Sequence, residues 1–217
     1  MRNASHARTF VVATAALAWS AVSANAAPIT VAFNSTILES PFATGDLATD
    51  RALTGVYTYE SSATPSESGT NFARYDAVVN ASLTAGPNTW VGSVTDLIVA
   101  HSAGIELPDD VVYAPADFYL LNVFSPLSGP SVGGTSLAFF LVALVDTEAT
   151  AYTSGTPLTF PNPNLFEVKQ VHLNFLDGSR VHARIDSIGV VPEPSSITLL
   201  GLGILGQCAR LIKRRRQ

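Results

Sequence analysis

The run Val171-His172-Leu173-Asn174-Phe175-Leu176-Asp177-Gly178-Ser179-Arg180-Val181-His182-Ala183-Arg184-Ile185 decides the fold class. Before the Asp-Gly pair, apolar Val171, Leu173 and Phe175 alternate with polar His172 and Asn174. After it, Val181, Ala183 and Ile185 alternate with His182 and Arg184. A period of two belongs to a strand with one buried face, and Asp-Gly between two such runs signals a hairpin. Residues paired across antiparallel strands point the same way, so the two apolar sets must meet. A two-residue loop at Asp177-Gly178 would pair Phe175 with Arg180, which is out of phase. The loop therefore has an odd length, most simply Asp177-Gly178-Ser179. Phe175 then faces Val181 and Leu173 faces Ala183, while His172 faces Arg184 and Asn174 faces His182.

Strand signals continue outward from this hairpin. Tyr75, Ala77, Val79, Ala81 and Leu83 keep the same period, and further strands are expected at 29–38, 52–60, 90–100, 118–124, 137–145, 166–176 and 180–190. Clusters of Gly, Pro, Ser and Asn at 61–70, 125–135 and 153–164 separate them. Residues 137–145 are nine apolar residues in a row, too short for a membrane helix and suited to a central strand buried on both faces, with a buried helix as the competing reading for this segment alone. No amphipathic helix is legible between 27 and 190. The expectation is an all-β domain, a two-sheet sandwich with jelly-roll character.

Charge divides the chain into three parts. The formal net charge is −5 over 217 residues, but seven of the 12 basic residues lie in the first ten or last eight positions. Between 27 and 191 there are five basic residues (Arg51, Arg74, Lys169, Arg180, Arg184) against sixteen acidic ones, a net of −11. Such a segment repels phosphates, which argues against a nucleic-acid partner. One cysteine excludes a disulfide framework and a cysteine-based zinc site.

Both ends read as addresses. Basic Arg2, His6 and Arg8 precede an apolar stretch from Phe10 to Ala18, and Ala24 and Ala26 then form the A-x-A pattern of a signal-peptidase site. Residues 1–26 are accordingly expected to be a helical signal peptide, removed by signal peptidase during export. At the other end, Pro192-Glu193-Pro194 is rigid and extended. An apolar stretch follows, carried by Ile197, Leu199, Leu200, Leu202, Ile204 and Leu205, then Arg210 and the basic block Lys213, Arg214, Arg215 and Arg216. Basic residues resist translocation, so this block stays on the cytoplasmic side of a membrane-anchor helix. Arg210 can reach the interface by snorkelling.

These three parts in this order, over 191–217, resemble the PEP-CTERM sorting signal. The resemblance implies an exosortase, a membrane-embedded transpeptidase-like cysteine enzyme, acting near Pro192-Glu193-Pro194. It also implies a Gram-negative, exopolysaccharide-producing host. The 27–190 segment is loosely similar to other small exported proteins with this signal, through Gly55-Val56-Tyr57-Thr58-Tyr59 and Phe175-Leu176-Asp177-Gly178.

Several apparent sites fail on context. Gly201-Leu202-Gly203-Ile204-Leu205-Gly206 matches G-x-G-x-x-G but lacks the strand, helix and acidic residue of a dinucleotide site, so no cofactor is expected. Ala100-His101-Ser102-Ala103-Gly104 resembles a nucleophile elbow, with Asp146 and His172 in suitable chain order. Proline and acidic residues stand where the helix after Ser102 should begin. His172, His182 and Asp186 could hold a divalent ion, but Arg184 is expected between them. Glu106, Asp109, Asp110 and Asp117 lack the spacing of a calcium loop. Tyr57, Tyr59, Trp90, Tyr113 and Tyr119 are available for a glycan surface. The reading is a non-enzymatic exported protein of the cell envelope, cell surface or extracellular matrix. Its partners would be the export machinery, an exosortase, the membrane and exopolysaccharide. Carbohydrate-binding and serine-hydrolase functions are the alternatives.

Overall fold

The computed structural model describes residues 28–124, 127–152 and 158–192. The signal segment with Ala24 and Ala26, and the tail from Glu193 onward, lie outside the described residues, and so do the two flanking helices expected there. No helix among the described residues is long and apolar enough to cross a membrane.

Eleven strands follow one another among the described residues: β1 (Pro28–Glu39), β2 (Ala52–Glu60), β3 (Glu67–Ser68), β4 (Phe72–Tyr75), β5 (Val78–Ala85), β6 (Asn88–Gly92), β7 (Val94–Glu106), β8 (Val112–Phe124), β9 (Leu137–Asp146), β10 (Val168–Phe175) and β11 (Arg180–Val190). They form one sheet in the order β3-β4-β7-β8-β9-β10-β11-β1-β2-β5-β6. Every neighbouring pair is antiparallel. The protein is all-β, as the alternation requires. The expected division into two sheets is not present among the described residues.

This one sheet bends back over its own core. Strands β8 and β2 stand five places apart, which in a flat sheet is roughly 24 Å. Yet the hydroxyls of Tyr119 on β8 and Tyr57 on β2 lie 3.2 Å apart. A two-way backbone bridge between Val91 on β6 and Ser128, after β8, also joins the two halves. The bend follows from right-handed twist and from bulges, one of which expels Val79 from the β2–β5 ladder. Val79 is therefore 54% exposed and breaks the alternation read at 75–83.

Gly55 shows why the sheet can close here. It pairs with Phe33, whose ring occupies the space a Cβ at Gly55 would need. Tyr57 and Tyr59 follow on the same inward face and stack with centroids 6.2 Å apart.

A second, smaller core lies on the opposite face of β7–β9. β9 sends Phe140, Val142 and Leu144 into the main core and Leu141, Ala143 and Val145 into the second. Its continuous apolar run is thus buried on both faces. The cover comes from β7 and β8, which extend past their expected ends to Glu106 and back to Val112. Register shifts after Ala100 and Ala103 bend this long hairpin into an arm. Leu107 near its tip joins the second core, and the Arg180 guanidinium donates to the Pro108 carbonyl.

Candidate functional site

The last hairpin has the expected parity but a different register. Leu173 pairs with Val181 and Val171 with Ala183, so the apolar faces meet. The loop is centred one residue earlier than expected. Gly178 sits at φ +86°, and its N–H donates to the Phe175 carbonyl. A three-residue loop ending on a left-handed residue places that residue last, where glycine is favoured. The loop is therefore Leu176-Asp177-Gly178, with Asp177 accepting from the Ser179 N–H. The outer-face pairs become His172 with His182, Asn174 with Arg180 and Gln170 with Arg184.

The two histidine rings consequently stack, 4.8 Å between centroids and 2° from parallel. Arg184 does not stand between them; it binds Asp186 at 3.0 Å. The arm instead brings Asp109 to the pair, so that one donor atom each from Asp109, His172 and His182 lies within 4.8 Å of the others. Burial, then the neighbouring His182, pushes His172 down to about 4. In the sequence Asp109 stands only in the acidic stretch weighed as a calcium loop, and the strands expected to end at Ala100 and begin at Phe118 gave no sign that the chain between them reaches the histidines.

Ser102, Asp146 and His172 are not brought together. Ser102 is an exposed residue at φ +48° within β7, followed by strand. His101 turns its Nδ1 to the buried Asp117 at 2.8 Å, and Asp117 also accepts from the N–H groups of Ser102 and Tyr152. Asp146 accepts from the N–H groups of Glu148, Thr150 and Ala151 and from the Thr150 hydroxyl. Burial pushes the Asp146 carboxyl upward, but these hydrogen bonds outweigh it and hold the group below its ordinary value. His172 pairs with Leu141, roughly 16 Å along β9 from Asp146.

The acidic stretch does not converge either: Asp117 is fully buried among N–H donors while Glu106 and Asp110 are exposed. Of the aromatic set, Tyr57, Tyr59, Trp90 and Tyr119 are core residues; only Tyr113 is partly exposed. Burial raises the phenol of Tyr59 to about 12.

The two ends of the described domain leave side by side. Val31 pairs with Val190, and the Val191 N–H donates to Thr30 O at 2.8 Å. Val191 and Pro192 are exposed. Glu193, Pro194 and the anchor and basic-tail residues through Arg216 lie outside the described residues. Residues 190–216 match the PEP-CTERM protein-sorting motif, so the exposed end of β11 opens directly into that signal. The chain has the recognition element of an exosortase substrate. No curated protein matches the chain.

Proposed function

We propose that this is a non-enzymatic exported protein, delivered to the envelope by its PEP-CTERM signal and processed beside Pro192-Glu193-Pro194. The match over 190–216, directly after a strand that ends exposed, carries the reading. Signal peptidase would cut after Ala26, close to the start of β1 at Pro28. Both cuts would then fall at one pole of the domain. The two facing halves of the sheet would serve as the layers of a sandwich, with helices over residues 1–26 and the apolar anchor stretch that begins at Ile197. His182 lies roughly 26 Å up β11 from Val190, so the opposite pole would face outward, toward exopolysaccharide in the matrix. Cell fractionation with intact-mass analysis tests this. The expected product is an envelope or extracellular chain lacking residues 1–26 and cut near Pro192. A full-length cytosolic chain would overturn it.

A carbohydrate-binding reading keeps one observation in its favour. A cleft of about 550 Å3 between the arm and the outer face is lined by Glu106, Leu107, Asn122, Phe139, Asn174 and Arg180. The Asn174 side-chain nitrogen is buried there without a partner. Neutral amides beside an aromatic ring suit sugar hydroxyls. Glycan-array binding lost in Asn174→Ala, with unchanged melting, would support it; no binding to any glycan would end it.

A further inference from the structure

The geometry points to a site for a divalent first-row transition ion, zinc above all, formed by Asp109, His172 and His182 at the pole opposite the sorting signal. Three separate elements supply the donors: the arm, β10 and β11. They border a cavity of about 220 Å3 whose walls also include Glu39 and Arg180. Their donor atoms already lie within 4.8 Å of one another. A tetrahedral zinc with nitrogen and oxygen ligands holds its donors about 3.3 Å apart. Asp109 and His182 are only partly buried, so rotation of their side chains can close this gap without moving the sheet.

Two further observations point to a ligand. The His182 Nε2 is shielded from solvent and has no hydrogen-bond partner. A buried ring nitrogen left unpaired is uncommon, and a metal would satisfy it. His172 Nε2 lies 3.0 Å from Gln170 Oε1, to which it donates in the tautomer that leaves Nδ1 unprotonated. Ligating histidines are commonly held in this way, their other nitrogen kept as the free lone pair. Two imidazoles and one carboxylate suit zinc, copper or nickel, whereas calcium and magnesium favour all-oxygen sites.

Two cations stand nearby, and Arg180 borders the cavity itself. Arg180 is drawn to the Pro108 carbonyl and lies 3.9 Å from Asp110, and Arg184 is held by Asp186. Glu39, paired with His182 across β1–β11, adds a second carboxylate to the cavity wall. The ion would latch the arm to the sheet, because only Asp109 comes from the arm. Binding the folded state alone, it would raise stability by mass action.

The test uses the full chain, recovered from membranes in detergent and stripped with EDTA, then titrated with Co2+ and Zn2+. The expected result is one Co2+ per chain, with the visible absorption of a low-coordinate nitrogen–oxygen site, displaced by Zn2+. The melting midpoint should rise by several degrees. Asp109→Asn and His182→Gln, both at partly exposed positions, should each weaken binding by about ten-fold or more while leaving metal-free melting nearly unchanged. Cys208→Ser should leave binding intact. The proposal fails if there is no saturable binding at millimolar metal, if binding survives both ligand substitutions, or if it is lost with Cys208.

Discussion

Replacing Trp90 with alanine separates a core role from a ligand-binding one. Trp90 is 1% exposed, stands opposite Leu83 across β5–β6, and donates its indole N–H to Pro130 O at 2.9 Å. Truncating a buried tryptophan to alanine costs about 3–5 kcal/mol through lost burial and the cavity left behind. With a urea m-value of about 2 kcal/mol per molar, the unfolding midpoint should fall by roughly 2 M. Trp90→Phe keeps most of the ring but loses the hydrogen bond, and should cost about 1–2 kcal/mol. The assay is urea unfolding of residues 27–192 followed by far-UV circular dichroism. Of the two tryptophans, only Trp90 remains once the signal segment is gone, so fluorescence would lose its reporter in the mutant. A midpoint within roughly 0.5 M of the wild type would refute the core assignment and return Trp90 to the ligand-binding candidates.

Three other substitutions probe the rest of the fold. Asp146→Asn should cost about 1–3 kcal/mol at pH 7, because charge-assisted hydrogen bonds to the 148–151 loop are lost. The native carboxyl is held below its unfolded value, so its stabilisation is present above about pH 4 and fades as pH falls through the folded-state value. Mutant and wild-type stabilities should therefore converge in acid; an equal gap at pH 7 and pH 3 would contradict this. Gly178→Val places a β-branched residue at φ +86° and should cost about 1–2 kcal/mol, measured by thermal unfolding. Gly55→Val should destabilise by about 1–3 kcal/mol, because Phe33 must leave its place over the glycine; a crystal structure showing Phe33 unmoved would count against that cause.

The parts of the fold legible in the sequence are those where a single face is buried and a turn marks the end. β2 and β11 run over their expected 52–60 and 180–190 because alternation and flanking polar residues agree there. The 137–145 run announced a strand buried on both faces, but not what covers its outer side. That cover comes from the arm, where Ala100-His101-Ser102-Ala103-Gly104 offers small residues and no alternation. Two register shifts in this region move successive residues between faces, which erases the period on which strand recognition rests. The aromatic residues misled for a related reason. The main core of the curled sheet has inward positions for Tyr57, Tyr59, Trp90 and Tyr119, and a list of aromatics cannot distinguish those positions from a binding face.

The histidine pair shows how much depends on one loop residue. Parity alone required an odd loop, and both Asp177-Gly178-Ser179 and Leu176-Asp177-Gly178 satisfy it. They differ only in whether glycine occupies the middle or the last position. The left-handed residue of a three-residue hairpin loop comes last, and glycine adopts that conformation without steric cost. Choosing that loop shifts the pairing by two residues, leaves every apolar contact on the correct face, and exchanges every partner on the outer face. His172 then meets His182 instead of Arg184. A cation between two imidazoles would oppose a metal, whereas two adjacent imidazoles with Asp109 above them form a ligand set. The inward face tolerates a two-residue shift because its residues are all apolar; the outer face does not, because its chemistry resides in particular pairs. Turn geometry at Gly178 therefore bears more directly on this site than the hydrophobic pattern that identifies the fold.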